Sequence, residues 1–533
     1  MNQTEIKRRQ AEGLSDILMF ITIYVMGRLT GDKGIAYTAV AAVVCALLWI
    51  LVSGSVSDAL GRLLRSRKNK GQYKNIAKMR GSVMLCQMGL GAAGSLALAA
   101  ASGAVSEKLF RIPYSGLILL ALSPIVLLRT ISAVFTGYFQ GEGSESPKAI
   151  AGILRQIFLL GFGILFCNVV GGYGERVASL LRQENYSAMY GGLGIALAVD
   201  LSELFVILFL GLIYKGSRRS ERKGKQEAMY TTDSRWECVM YLHSARWPQF
   251  VTGLCVFLPF ALGLFFVCMT SENAERTAAE YGLYAGKYLV VCGVVASMIT
   301  IAVLPVIGKM FQCFKREENR FARTVFQSGV HIGLVHGIFL SVYVAVMGEQ
   351  LADLLCPANA QAVAKMLQFG SALIGFGALS GYFIRLMHSL GKKYPVLVAA
   401  GAADVLFVIV VLPGIGKTGV LSLVYGGLVA AAMLCVLSGV FAYRQLRVKP
   451  DWLGTFAVPA GVGGVAGLIC LLMRKLLSGH LGSLAMLFTV FAVGGIVYWI
   501  ALILLRNFKE QELEVIPGGR LLGKLGQLLR VFQ

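Results

Sequence analysis

Runs of about 20 apolar residues, each long enough to cross a ~30 Å hydrocarbon core, recur fourteen times along this chain. The approximate spans are 14–30, 34–57, 81–105, 115–139, 147–169, 187–214, 246–269, 281–307, 326–348, 363–388, 394–413, 417–443, 453–476 and 480–505. No long polar stretch is left over for a soluble domain. A basic nucleic-acid binder would spread charge over its whole surface, whereas here only 15% of 533 residues are charged and mean hydropathy is +0.69. Disorder, a coiled-coil rod and an ordinary globular enzyme are excluded on the same numbers. Lys7, Arg8 and Arg9 precede an apolar run that Glu12 and Asp16 interrupt, which reads as a first membrane helix rather than a cleaved leader.

Net charge of +22 in such a chain has to be read by location. With the N-terminus placed in the cytoplasm, 35 Lys and Arg fall on that side, 12 on the other and 3 within spans. The positive-inside rule therefore orients the chain with both termini cytoplasmic. Segment 62–80 alternates bases with Leu64, Tyr73, Ile76 and Met79, and reads either as an amphipathic helix lying on anionic lipid or as a solvated basic loop. Cysteines are scattered through apolar runs with no Cys-x-x-Cys pair, so no disulfide framework is expected.

A weak internal repeat sets the architecture. Gly137-Tyr-Phe-Gln-Gly141 ends the fourth span and Pro147 opens the fifth; Gly381-Tyr-Phe ends the tenth and Pro395 opens the eleventh. Six spans separate the copies, so both have the same orientation. The expectation is an all-α polytopic membrane protein with 14 transmembrane helices. It comprises two six-helix bundles in a parallel pseudo-two-fold repeat, plus two C-terminal helices. The implied divisions are 1–214 for the first bundle, 215–245 for a basic cytoplasmic linker, 246–443 for the second bundle, and 444–533 for two added helices and a cytoplasmic tail.

Several strings fail as chemistry. Gly89-Leu-Gly-Ala-Ala-Gly94 lies inside a span with no preceding strand, and reads as close helix packing rather than a dinucleotide fingerprint. Gly414-Ile-Gly-Lys-Thr418 lacks the first glycine of a phosphate loop. His331 and His336 have no acidic or thiol companions in a metal pattern. No catalytic constellation, metal or cofactor is expected, and no nucleic acid.

The informative residues are charges within spans, because a charge at mid-helix costs about 2.5–3.5 kcal/mol on insertion scales and faces a cavity or a partner. Arg129, Arg155, Asp200, Glu203 and Asp404 lie mid-span; Arg28 and Lys287 lie near outer ends, where they can also snorkel to the interface. Together they are candidates to line a substrate-binding cavity; the competing reading is that Arg129 or Arg155 clamps Asp200 or Glu203. Pro124, Pro259 and Pro305 are candidate hinges. Arginine suits a bulky anionic head group such as a pyrophosphate-linked sugar, whereas the acidic residues suit a cationic drug.

At these residues the sequence resembles a known group. Ala121-Leu-Ser-Pro-Ile125, Gly137-Tyr-Phe-Gln-Gly141 and Pro147-Lys-Ala-Ile150 are similar to the span 4–5 region of SpoVB-like polysaccharide exporters. Arg28-Leu-Thr-Gly31-Asp-Lys-Gly34-Ile-Ala-Tyr37 and Ser55-Val-Ser-Asp-Ala-Leu60 are similar to their first two spans. The group belongs to the MOP superfamily, with the MurJ-type lipid II flippases and MATE exporters. The resemblance implies flipping of undecaprenyl-pyrophosphate-linked sugars or peptidoglycan precursors across the bacterial cytoplasmic membrane by alternating access, without ATP. It implies lipid-linked sugar and anionic lipids as partners, cell-wall synthesis enzymes as further ones, and no required oligomer. It makes Arg28 and Lys287 counterparts of cationic cavity residues. Thr136, where relatives carry Arg, departs from the pattern, as do Arg155-Gln156, Asp200 and Glu203. A Na+- or H+-coupled multidrug exporter and a non-transporting scaffold for cell-wall or sporulation enzymes are the alternatives.

Overall fold

Every regular element among the described residues is helical, as the spacing of apolar runs requires. The computed structural model describes residues 3–221, 231–270, 274–508 and 523. Residues 222–230 of the polar linker and the tail beyond 508, apart from Gly523, therefore lie outside the described residues. By contact the chain divides into two compact units, Met1–Gly286 and Lys287–Gln533. The first holds α1 (Gln3–Ser53), α2 (Val56–Asn69), α3 (Tyr73–Ala104), α4 (Ser115–Leu122), α5 (Ile125–Glu142), α6 (Ser146–Leu181), α7 (Asn185–Glu221), α8 (Arg235–Thr270) and α9 (Ala274–Leu283). The second holds α10 (Leu289–Lys315), α11 (Asn319–Val346), α12 (Gly348–Leu355), α13 (Ala360–Gly370), α14 (Leu373–Ser389), α15 (Tyr394–Thr418), α16 (Leu421–Leu446), α17 (Val458–Leu477) and α18 (Ser483–Leu504).

Twelve helices are long and apolar enough to cross a membrane, thirteen if the bent pair α13–α14 is one span. This is a multi-pass membrane protein. The first of the twelve is a 60-residue run, Gln10–Asn69. At 1.5 Å per residue it measures about 90 Å, some three hydrocarbon thicknesses. Gly31 breaks it with φ 68° and ψ 174°, a conformation open essentially only to glycine. Two further breaks differ from the uniform spans expected. The fourth span divides at Ser123-Pro124 into α4 and α5, because proline there removes a donor. The tenth bends by 52° between α13 and α14 with no proline at the break.

Segment 62–80 is not one helix on a lipid surface. It is the end of α2, a turn, and the start of α3. Leu64, Ile76 and Met79 are buried against α5 and α7, in a core with Tyr138, Phe139 and Val206. The Arg80 guanidinium lies 5.1 Å from the ring centroids of both Tyr138 and Tyr214, which meet edge to face. The described end of the linker is tied down here too, since Asn75 donates to the Thr231 carbonyl at 3.2 Å and accepts from Asp233 N–H at 3.0 Å.

In the first unit, α8 and α9 pack on α1. Arg246 donates to the carbonyls of Val52 and Leu51 (2.8 and 3.3 Å), the last turn of α1, where carbonyls lack helical partners. Gly282 of α9 sits so close to Ala36 that a Cβ would collide with it. In the second unit, α17 and α18 dock on α11. Tyr498 donates to the Val335 carbonyl (3.0 Å), Tyr343 to that of Leu487 (2.8 Å), and Asn507 pairs with His331 (2.9 Å). All eleven cysteines are free thiols.

Candidate functional site

Three consecutive helices of the first unit bring four of the seven candidate charges together. α5 begins just after Pro124, which puts Arg129 in its second turn. α6 begins at Ser146 with Pro147 in its first turn, where a missing N–H costs nothing, and carries Arg155. α7 carries Asp200 and Glu203 on one face, since i and i+3 are neighbours on a helix.

Arg155 and Glu203 form a two-pronged ion pair. Nε donates to Oε2 at 2.6 Å and one terminal nitrogen donates to Oε1 at 2.9 Å. The Glu203 side chain is 1% exposed and that of Arg155 28%. The same nitrogen of Arg155 also reaches the Ser132 hydroxyl on α5, at 3.5 Å. This pair ties α6 to α7 and uses both carboxylate oxygens, so one member of each candidate pair works as a clamp.

Arg129 and Asp200 are held differently. The Arg129 guanidinium lies over the Trp49 indole, 5.4 Å from its centroid, and its buried Nε has no hydrogen-bond partner among the described residues. Asp200 lies within electrostatic reach of Arg129 and Glu203, and its buried Oδ1 likewise has no partner there. On α6, the amide oxygen of Gln156, next to the clamp arginine, is another unpartnered buried acceptor. A buried polar group without a partner costs about 1–3 kcal/mol, and three of them lie on these neighbouring helices.

A polar stripe runs down α5 from Arg129. Ser132, Thr136 and Gln140 follow at spacings of three and four, which line one face. The Thr136 and Ser57 hydroxyls are 3.0 Å apart, and the Ser57 hydroxyl is 3.3 Å from the Gln140 amide. At the end of the stripe, Arg65 donates to the Gln140 carbonyl (2.7 Å) and Lys68 pairs with Glu142 (2.6 Å). The stripe thus connects the mid-helix cluster to the basic face over about 20 Å. Trp49 and Ser132 were not singled out by sequence, and Ser57, Gln140 and Gln156 stood out only as parts of motifs, yet the i, i+3, i+7, i+11 spacing along α5 is visible in it.

The other candidates lie elsewhere. Arg28 is exposed on α1, three residues before the Gly31 break, with its guanidinium 5.5 Å from the Tyr24 ring centroid. Lys287 is in the second unit, 1% exposed, and donates to the Leu355 carbonyl at 3.0 Å, which caps the end of α12. Asp404 is buried in α15 of the same unit. Of the candidate hinges, Pro124 sits at an actual break, while Pro259 and Pro305 lie inside continuous helices α8 and α10.

Fold and charge distribution together define a membrane protein with the architecture of MOP-superfamily transporters. No family model matches the chain. It is 21% identical over 544 residues to Stage V sporulation protein B of Bacillus subtilis (strain 168), covering 94% of each chain. Its structure is similar to that of the lipid II flippase MurJ in an inward closed conformation (TM-score 0.65, 13% identity, 94% of this chain and 99% of that one). It is also similar to an inward-facing multidrug-resistance MATE family transporter of the MOP superfamily (TM-score 0.59, 12% identity, 82% and 94%). The resemblance read from Gly137–Gly141 and its neighbours is thereby borne out, as is the all-helical, MATE- and MurJ-like fold. These structural neighbours are transporters and a flippase, not enzymes.

Proposed function

We propose that the protein is an alternating-access flippase for an anionic, lipid-linked sugar in a bacterial cytoplasmic membrane, with both termini cytoplasmic. One observation carries the reading: Arg129 is kept at mid-span with its Nε uncommitted, while neighbouring Arg155 is fully engaged by Glu203. A guanidinium at that depth is retained where it meets water or a partner. Arginine binds phosphate oxygens in pairs, and the stripe from Ser132 to Gln140 gives a polar head group a path to the basic face. A polyisoprenoid carrier would remain in lipid while its head group follows this path. The similarity to Stage V sporulation protein B and to the fold of the lipid II flippase supports the same class of cargo. Counting the run Gln10–Asn69 as two crossings, divided at Gly31, and the bent pair as one gives fourteen.

The test is flipping of fluorescent undecaprenyl-pyrophosphate-linked sugar in proteoliposomes, alongside rescue of a bacterium depleted of its own flippase. Arg129→Ala should slow transport by about 10–100-fold, the worth of one hydrogen bond to a charged group, with the folded yield unchanged. Transport at the wild-type rate by Arg129→Ala sinks the assignment. A second reading, a cation-coupled exporter, is favoured by the unpartnered Oδ1 of Asp200. It requires drug efflux driven by a Na+ or H+ gradient and abolished in Asp200→Asn, with no flipping of lipid-linked sugar.

A further inference from the structure

A cavity of about 580 Å³ lies within the second unit, between α11, α14, α16 and the turn that leads into α17. Its size falls within the ~300–1,000 Å³ typical of small-molecule sites. Its walls are apolar: Phe376 and Phe383 from α14, and Val436, Gly439 and Val440 from α16. Gly439 lets α16 approach the Phe383 ring of α14 closely, since a Cβ there would press on that ring at 3.1 Å. At the end of α16 the lining is completed by the aliphatic stems of Arg444, Arg447 and Lys449.

Among the described residues these three bases form no ion pair, although Arg444 lies in the last turn of α16, where a cation suits the helix dipole. All three are exposed. It is the carbonyl of Lys449, not its ammonium, that is used, accepting from Gln327 at 3.1 Å. Asp451, the nearest acid in sequence, is turned to the Gly454 N–H (3.0 Å) and caps the following helical turn. Trp452, 68% exposed and packed on Phe456, flanks the same mouth, as an aromatic at a membrane interface does.

An apolar slot with a triple cationic rim and an interfacial tryptophan is complementary to one occupant. We infer that the groove holds an anionic phospholipid from the leaflet at the basic face. One acyl chain lies between α14 and α16, and the phosphate sits on Arg444, Arg447 and Lys449. The site is separate from the Arg129 cluster and stands whether or not the transported cargo is a lipid-linked sugar.

The test uses the full-length protein in detergent, with retained lipid counted by native mass spectrometry. Wild type should keep phosphatidylglycerol in preference to phosphatidylcholine. Each base near an anionic group is worth roughly a five-fold factor, so Arg444→Gln/Arg447→Gln/Lys449→Gln should weaken phosphatidylglycerol binding on the order of 100-fold. Should the triple variant not fold, the three single variants should each show roughly five-fold. Val440→Trp fills the slot without touching charge and should displace the lipid as well. Equal retention of the two phospholipids overturns the proposal, as does unchanged binding by Val440→Trp. Displacement by glycerol phosphate alone would make this a headgroup site, and preferential capture of undecaprenyl phosphate would make it part of the cargo path; either result also overturns it.

Discussion

The Gly-Tyr-Phe sequence occurs once in each unit, inside α5 and inside α14, and the two copies agree in packing but not in chemistry. Tyr138 and Tyr382 are both buried, as are Phe139 and Phe383. Each leading glycine presses on the preceding unit helix: Gly137 on Ser57 and Leu60 of α2, Gly381 on Thr300 of α10. Eight, five and one residues before the first glycine, and three after it, stand Arg129, Ser132, Thr136 and Gln140. At the same offsets from Gly381 stand Leu373, Phe376, Ser380 and Ile384. The buried aromatic pair and its glycine contact are therefore what the fold needs twice. The polar stripe is something the first unit alone was given, while the matching stretch of the second supplies the wall of an apolar groove. An architecture built from a repeat does not need a repeated site.

The largest expected effect tests the first unit's ion pair through stability. Glu203→Ala leaves the Arg155 guanidinium without its carboxylate inside the first unit, and should destabilise the protein by about 3–5 kcal/mol. The measurement is the thermal melting midpoint of the detergent-solubilised protein. Arg155→Met combined with Glu203→Leu should recover most of the loss, because the pair is replaced rather than broken. Failure of the double variant to recover would mean that Arg155 and Glu203 have work beyond clamping α6 to α7, and the division of labour with Arg129 would have to be redrawn.

Much of this was legible beforehand, and the reasons are physical. A bilayer imposes a length on every crossing, so apolar runs mark helices almost directly, and only breaks inside runs escape. The break at Gly31 falls in the gap between the first two apolar runs, 14–30 and 34–57, so it was legible as a boundary. The bend between α13 and α14 has no proline to announce it. Charges within spans are costly enough to stand out, which is why Arg129, Arg155, Asp200 and Glu203 were found. Which arginine takes which carboxylate depends on helix rotation, and sequence does not record that. The bond from the Lys287 ammonium to the Leu355 carbonyl at the end of α12 likewise depends on a tertiary approach that sequence does not record. Hydroxyl and amide residues such as Ser57 and Gln140 carry too small an insertion cost to stand out on their own.

Smaller effects should sharpen the comparison at the two glycines. A Cβ at Gly137 would lie 2.8 Å from the Ser57 carbonyl oxygen, a backbone atom that moves only with its helix. At Gly381 the nearest atom is the Thr300 hydroxyl at 3.1 Å, on a side chain that can rotate. Gly137→Ala should therefore cost about 2 kcal/mol and Gly381→Ala under about 1, measured by the same melting assay. Equal losses would show that the two packings are more alike than their neighbours imply.

The smallest difference is also the most specific to the stripe. Thr136 bonds across to Ser57 on α2 at 3.0 Å, in addition to the carbonyls of its own helix. Ser380, its counterpart, donates only within α14, to the Gly377 carbonyl at 3.0 Å. Hydrogen bonds between membrane helices average about 0.6 kcal/mol, so Thr136→Val should lower stability by about that much and Ser380→Ala by almost nothing. Transport separates the two further. Thr136→Val places a methyl on the polar path between Arg129 and the basic face, so flipping should slow by more than the stability change accounts for. Ser380→Ala should leave it unchanged. If both variants transport like wild type, the α5 stripe is packing and not a path, and the cargo must reach Arg129 by another side of the cluster.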